Sequence, residues 1–342
     1  MLLGLWAGCV PTAPSSGPSE EPTGVAFHRS TDVDTVSFHI PFGANMDENL
    51  MTNVLTEAAN GIDYSRFLTE VTYDSVIDKI ATHFSRGENL PYRPHSLTYE
   101  GSVINLTFVL DRDRIAFYAT SLAANANTIS FTSVGALNPD LESKDSFDYL
   151  PDGLLLEPCP GVSYPKRSNL IPNAPRTYRS GTHRGIDFPA PFSSQIRAVA
   201  DGVVIRADLN YSEVTNEFRE SLLEKAAKIG RTPSDIFEHI LFGQAVFLDH
   251  GIELVEGKRL ISIYAHMSEI ADGITVGTTV ERGQIIGKVG NSGTSDGAKG
   301  NRKGAHLHYE LIIQDQAGER YIGQGLDYDP LTNLLDRLFI SN

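Results

Sequence analysis

The chain has 342 residues, room for two domains of ordinary size. With 41% hydrophobic and 21% charged residues, its composition is globular and excludes a mostly disordered or fibrous protein. Acids outnumber bases 43 to 28, and the excess is lopsided: residues 1–160 hold 21 acids and 8 bases, residues 161–342 hold 22 and 20. A cationic footprint for nucleic acid is therefore missing, and no stretch of the sequence reaches the roughly 20 apolar residues that span a bilayer.

The opening residues, MLLGLWAG before Cys9, form a short apolar run that ends in small residues and a cysteine. The run resembles the lipobox of bacterial lipoproteins, which implies lipid on Cys9 and a membrane anchor. Trp6 stands where a small or branched aliphatic is usual, and no basic residue precedes the run. Residues 1–9 are thus expected to be a signal segment. Residues 10–24, rich in Pro, Ser, Gly and Glu, are expected to be a flexible tether. Cys159 is the one other cysteine, so lipid on Cys9 leaves no disulfide framework.

Residues 25–150 read as an α+β domain. Val36, Phe38 and Ile40 alternate as in a half-buried strand, and helices are expected over 46–59, closed by Gly61, and over 74–85. Two further strands follow, Ile104 to Leu110 and then Ile115, Phe117 and Ala119, across a charged turn at Asp111 to Arg114. His28, His39, His83 and His95 share no spacing, and no catalytic constellation is evident in this part. Residues 151–175 carry several prolines and read as a stiff connector.

From 176 to 342 the pattern changes to short strands with glycine turns. Ile196 to Ala200, Asp201-Gly202 and Val203 to Ala207 read as a hairpin. Strands are expected at 244–249, 260–266, 284–289 and 306–313, with turns at glycines 277, 283, 287, 290 and 293. A helical insertion over 212–242 interrupts them, with Thr232-Pro233-Ser234-Asp235 as the start of its second helix.

The chemistry lies in four histidines and one aspartate. In the sequence HLHYEL, strand alternation puts His306, His308 and Glu310 on one face and Leu307, Tyr309 and Leu311 on the other. His183 and Asp187 stand four apart in HRGID, with Gly185 permitting a bend, and His266 closes the strand in IYAHM. Neutral imidazoles suit zinc, and one His, one Asp and a second His leave a tetrahedral position open, as in a catalytic rather than a structural site.

The succession HRGIDF, AVADGVV, VFLDHG, IYAHMS, VERGQIIGKVGNSGTS and HLHYEL resembles the lysostaphin-type (LytM-like) zinc metallopeptidases, which cut peptide bonds in bacterial peptidoglycan. The resemblance covers about residues 176–325 and implies a mainly antiparallel β catalytic domain behind the α+β domain. It also implies one Zn²⁺ held by His183, Asp187 and His308, with His266 and His306 as catalytic histidines, peptidoglycan peptides as substrate and a place in the cell envelope. Tyr178 is a candidate to stabilise the oxyanion. His250 is expected to make a structural hydrogen bond, His239 to be solvated and Glu310 to be a surface residue. A catalytically inactive relative that activates other wall hydrolases is the alternative, although such proteins generally lose ligands and all five residues are present here. A lipoyl- or sugar-transport-like carrier leaves the HxxxD spacing unexplained. Both glycine bridges and crosslinks of D-alanine to a diamino acid remain open as the bond cut.

Overall fold

The structure, a computed structural model, describes residues 24–340 apart from 43, 45–49, 68–73, 85–89, 117, 120–146, 233–235 and 316–317. Cys9, the apolar run before it and nearly all of the expected tether lie outside the described residues, as does most of the expected cap at 232–235. Among the described residues no helix is long and apolar enough to cross a membrane.

The first unit is built on β1 (Ala26–Arg29), β2 (Thr35–Pro41), β3 (Tyr92–Glu100) and β4 (Val103–Leu110), an antiparallel sheet of order β1-β2-β4-β3. Along β4, Ile104, Leu106, Phe108 and Leu110 are buried while the residues between them are half-buried, the period-two pattern of a sheet with one face on a core. The helices α1 (Leu50–Asn60) and α2 (Asp74–Phe84) add Val54, Leu55, Ala58, Ile80 and Phe84 to that core. Strand β3 is absent from the sequence reading because Pro94 sits inside it. The sheet tolerates that proline because β3 is an edge strand whose register slips between Pro94 and Ser96.

One expected strand is corrected. Residues 112–116 form a helix, α3, and 118–119 are helical as well, in place of the strand expected through Ile115 and Ala119; Phe117 lies outside the described residues. Ile115 and Ala119, both buried, stand four apart, a spacing that suits a helix as well as a strand. The Asp111 carboxylate decides the matter by accepting from the Arg114 backbone N–H at 3.1 Å, as a helix cap does.

The second unit holds β5 (Leu155–Leu156), β6 (Pro175–Arg176), β7 (Gly181–Thr182), β8 (Ile186–Phe188), β9 (Gln195–Arg197) and β10 (Gly202–Ala207). Then come α4 (Asn216–Ile229), α5 (Ile236–Leu241), β11 (Val246–Asp249), β12 (Arg259–Ala265), β13 (Met267–Ile270), β14 (Thr279–Val280) and β15 (Ile285–Val289). The chain ends with α6 (Ser295–Ala298), β16 (Leu307–Asp315), β17 (Gly318–Tyr321), α7 (Tyr328–Leu338) and β18 (Phe339–Ile340). The main sheet runs β14-β10-β11-β12-β16-β17, with β8 paired to β16, and a smaller sheet runs β13-β15-β9. These two sheets are antiparallel throughout. Their apolar faces, with Tyr264, Tyr309, Leu311 and Phe188 at the centre, form the larger core.

Three further readings change. The expected hairpin at Asp201-Gly202 does not form, because β9 and β10 belong to different sheets. Gly202 serves close approach instead of a turn: a Cβ there would lie 2.8 Å from the Asp249 carbonyl oxygen. Gly287 lies within β15 and Gly290 bridges to His306, so neither makes the expected turn. The proline-rich stretch after 150 is packed along its length, with Leu155, Cys159, Tyr164 and Ile171 in the larger core and β5 parallel to β18.

The helices between β10 and β11 have an unexpected affiliation. Thr215 caps α4 by accepting from the Phe218 N–H at 3.2 Å. From α4, Phe218, Leu222 and Ala226 join the core of the first sheet, as does Ile240 of α5. Phe42 and Phe218 stack with ring centroids 4.8 Å apart across that junction.

Candidate metal centre

The antiparallel pairing of β8 with β16 sets Asp187 directly opposite His308. His183, just before β8, closes the group: His183 Nε2 lies 3.0 Å from Asp187 Oδ1 and 3.1 Å from His308 Nδ1, and His308 Nδ1 lies 2.9 Å from Asp187 Oδ1. Among the described residues this is the one group of three or more His, Cys, Asp or Glu side chains close enough to share an ion. Gly185 makes the approach feasible, since a Cβ there would sit 2.7 Å from the His308 ring.

Which ring nitrogen faces the centre follows from what the other one touches. His183 Nδ1 is 3.0 Å from the Ile171 carbonyl, which only accepts, so Nδ1 donates and Nε2 turns a lone pair inward. His308 Nε2 donates to Glu310 Oε1 at 2.9 Å, leaving Nδ1 to face inward. Asp187 is divided likewise: Arg176 donates to Oδ2 at 2.9 Å and Oδ1 points to the histidines. Three acceptor atoms thus converge where at most one proton can sit among them. Such a donor set calls for a cation, and two imidazoles plus a carboxylate suit zinc. Zinc bonds of about 2.0 Å give tetrahedral edges of about 3.3 Å, so the three atoms would have to part by only a few tenths of an ångström.

The electrostatics agree. Burial pushes His183 below the ordinary imidazole value, against the pull of Asp187, which keeps it neutral and fit to ligate. Asp187 is held well below the usual carboxylate range, the two histidines that face its Oδ1 outweighing burial. His308 is raised to about 9, because Asp187 and Glu310 outweigh burial. Glu310 is itself kept ionised by Arg184, whose guanidinium donates to Oε2 at 3.1 Å.

His266 and His306 stand beside this group. His266 follows β12 with φ of 60°, a left-handed conformation uncommon for a residue with a Cβ. Its Nδ1 donates to the Ser292 carbonyl at 2.7 Å, while burial and the neighbouring histidines push it well below the imidazole range. His306 donates from Nδ1 to the Gly304 carbonyl at 2.7 Å, and its Nε2 lies 3.8 Å from Asp187 Oδ1. The His266 ring is centred 4.8 Å from that of His306 and 5.7 Å from that of His308. All five residues line one cavity of about 480 Å³, and Tyr178, 56% exposed, lines it too.

Two expectations about other residues fail. Glu310 is 1% exposed rather than on the surface, held between the Arg184 guanidinium and His308 Nε2. His239 is buried rather than solvated: its Nδ1 accepts from the fully buried Arg206 at 2.8 Å, and Phe108, Phe242 and Phe247 surround its ring. His250 does make structural hydrogen bonds, to the Asp201 carbonyl and Ser262 Oγ, each at 2.7 Å. Arg176, absent from the sequence reading, carries no motif of its own. Only its position beside Asp187 identifies it.

Residues 225–319 match the model of peptidase family M23. The M23 match takes in His266, His306 and His308 and bears out the resemblance read from the motifs; His183 and Asp187 precede it and join through the β8–β16 pairing. The chain is also 28% identical over 149 residues to the peptidoglycan DD-endopeptidase ShyA of Vibrio cholerae, a segment that covers 43% of this chain and 24% of that protein. The chain therefore spans about a quarter of that relative's length. Among solved structures, Csd3 of Helicobacter pylori aligns at 22% identity over 52% of this chain and 35% of its own, with a TM-score of 0.28. A zinc-containing peptidase from Vibrio cholerae aligns at 18% identity over 51% and 37%, with a TM-score of 0.25.

Proposed function

We propose that the chain is a zinc-dependent endopeptidase that hydrolyses peptide crosslinks of bacterial peptidoglycan. The observation that carries this reading is the convergence of His183 Nε2, Asp187 Oδ1 and His308 Nδ1 within 3.1 Å of one another, with two more imidazoles alongside. The M23 match and the relative described as a peptidoglycan DD-endopeptidase support the substrate class. In this proposal residues 176–342 are the peptidase unit, residues 25–150 a separate α+β unit, and the protein works outside the cytoplasm. Lipid on Cys9 rests on the sequence around that residue.

His183, Asp187 and His308 would hold the zinc, which when bound polarises a peptide carbonyl and lowers the pKa of water to about 7. His266 and His306 are each tied to a carbonyl through Nδ1, so each has Nε2 free to take a proton or return one to a leaving amine. Neutral His266 is set to accept. Tyr178 Oη would stabilise the oxyanion from the cavity wall.

Digestion of purified peptidoglycan of known crosslink chemistry, with mass analysis of fragments and metal analysis of the protein, tests the reading. The wild type is expected to retain about one zinc per chain and release crosslink fragments, and His308→Ala to lose both. Cleavage that persists in His308→Ala overturns the ligand set, and zinc-bound wild type without cleavage favours an inactive scaffold.

A further inference from the structure

We propose that Arg219 is a specificity-determining residue that holds a carboxylate of the peptide substrate in the cavity beside the His183–Asp187–His308 group. The inference rests on the endopeptidase reading above and names the substrate feature that the site recognises.

Helix α4 has two faces. Phe218, Leu222 and Ala226 turn into the apolar core shared with the first sheet, while Arg219, next to Phe218, lines the same cavity as the five chemistry-bearing residues. Arg219 is only 8% exposed. Its Nε donates to the Gly293 carbonyl at 3.0 Å, which anchors the guanidinium plane. Among the described residues its two terminal nitrogens have no partner and no carboxylate pairs with it. Glu213 and Glu220 are the acids whose charge it feels, but Glu213 is turned to the Tyr211 hydroxyl at 2.7 Å and the Gly293 N–H at 3.0 Å, and Glu220 accepts from the Asn216 side chain at 2.8 Å. Arg176 on the same cavity differs, since both its terminal nitrogens are engaged, by the Asn169 carbonyl and by Asp187.

A guanidinium taken out of water without a counter-ion is costly, and its rigid fork matches a carboxylate. Anchored at Nε, Arg219 presents its two terminal amines to whatever fills the cavity, so an incoming carboxylate would complete the pair. Crosslinks between D-alanine and a diamino acid carry free carboxylates near the scissile bond; a glycine bridge offers none along its length. The arginine therefore favours the former.

The test uses the full-length protein and pairs of D-alanyl–diamino acid peptides identical except that one carboxylate, at either of the two positions, is replaced by a carboxamide. Calorimetric titration of the zinc-free protein reads the contact apart from the chemistry. For one of the two positions, wild type is expected to bind the free acid about tenfold to a hundredfold more tightly than the amide. Arg219→Gln is expected to bind both alike, and Arg219→Lys to keep part of the preference. The same ratios are expected in kcat/KM of the zinc-loaded enzymes. Equal binding of acid and amide by the wild type overturns the proposal, as does a preference that survives in Arg219→Gln. An Arg219-dependent preference without hydrolysis by zinc-loaded wild type upholds the carboxylate contact and overturns the endopeptidase reading.

Discussion

His308 sits between two carboxylates, and that position governs how the site responds to pH. In the metal-free protein Asp187 and Glu310 overcome burial and raise it to about 9. A raised imidazole contributes stability that is complete below its unfolded value near 6.5 and fades as pH climbs through about 9. A cation at Nδ1 has to displace the same proton, so zinc uptake releases a proton and tightens with rising pH. The rise in Tm that zinc produces, measured by scanning calorimetry, is accordingly expected to grow between about pH 6 and about pH 8.5. A zinc-induced shift that stays constant over this range contradicts the pairing. Glu310 gives a second test. It fixes the His308 tautomer from the side away from the centre, so Glu310→Gln is expected to weaken zinc binding by about 10- to 100-fold in a chelator competition while the fold persists. Strand alternation alone places His306, His308 and Glu310 on one face, and there the sequence is legible. It does not reveal that Arg184, between His183 and Asp187 in HRGID, pairs with Glu310, because burial of a polar residue depends on what arrives from a distant segment.

At the scale of elements, legibility follows how strictly the apolar period is kept. Strand β4 alternates throughout, β16 alternates over Leu307 to Leu311, and β12 is apolar apart from Arg259 and Ser262, so all three are readable; β3 carries Pro94, and α3 uses a four-residue spacing that fits either structure. The supposed hairpin at Gly202 shows a further limit: a turn dipeptide marks a change of direction without saying which sheet receives the next strand. Helix α4 is readable from its apolar spacing, yet its packing partner is not, since the residues it meets come from 36–110. Leu222, 1% exposed, lies in that junction. Leu222→Ala is expected to cost about 2–5 kcal/mol by removing apolar contact and leaving a cavity. Chemical denaturation checks this, and a loss below about 1 kcal/mol would mean that α4 stands apart from the first sheet's core.

Across the whole molecule, the two units are joined by charge as well as by the α4 junction. Asp111, at the end of β4, reaches Arg259 of β12 at 2.9 Å, and Arg259 also binds Asp249 at 2.6 Å and Gln314 at 3.2 Å, all of them buried. Arg259 holds Asp111 below the usual carboxylate value against the opposing effect of burial. The sign for stability follows: a depressed carboxyl contributes fully above its unfolded value near 3.9, and that contribution is lost as pH falls through the folded value. Removing one partner of a buried pair leaves the other charge uncompensated, so Asp111→Asn is expected to lower stability near neutral pH by about 3 kcal/mol, with Asp249 still shielding the arginine. If this contact ties the units together, the gap between wild type and Asp111→Asn narrows as pH drops below about 4, where the wild-type carboxyl takes up its proton and comes to resemble the amide. Denaturation of both proteins over a pH series measures the gap. A gap that stays constant into acid would show that the loss does not come from the Asp111 charge and that no ion pair passes between β4 and β12; a gap near zero at neutral pH would leave Asp111 only the capping role that Asn fills equally well.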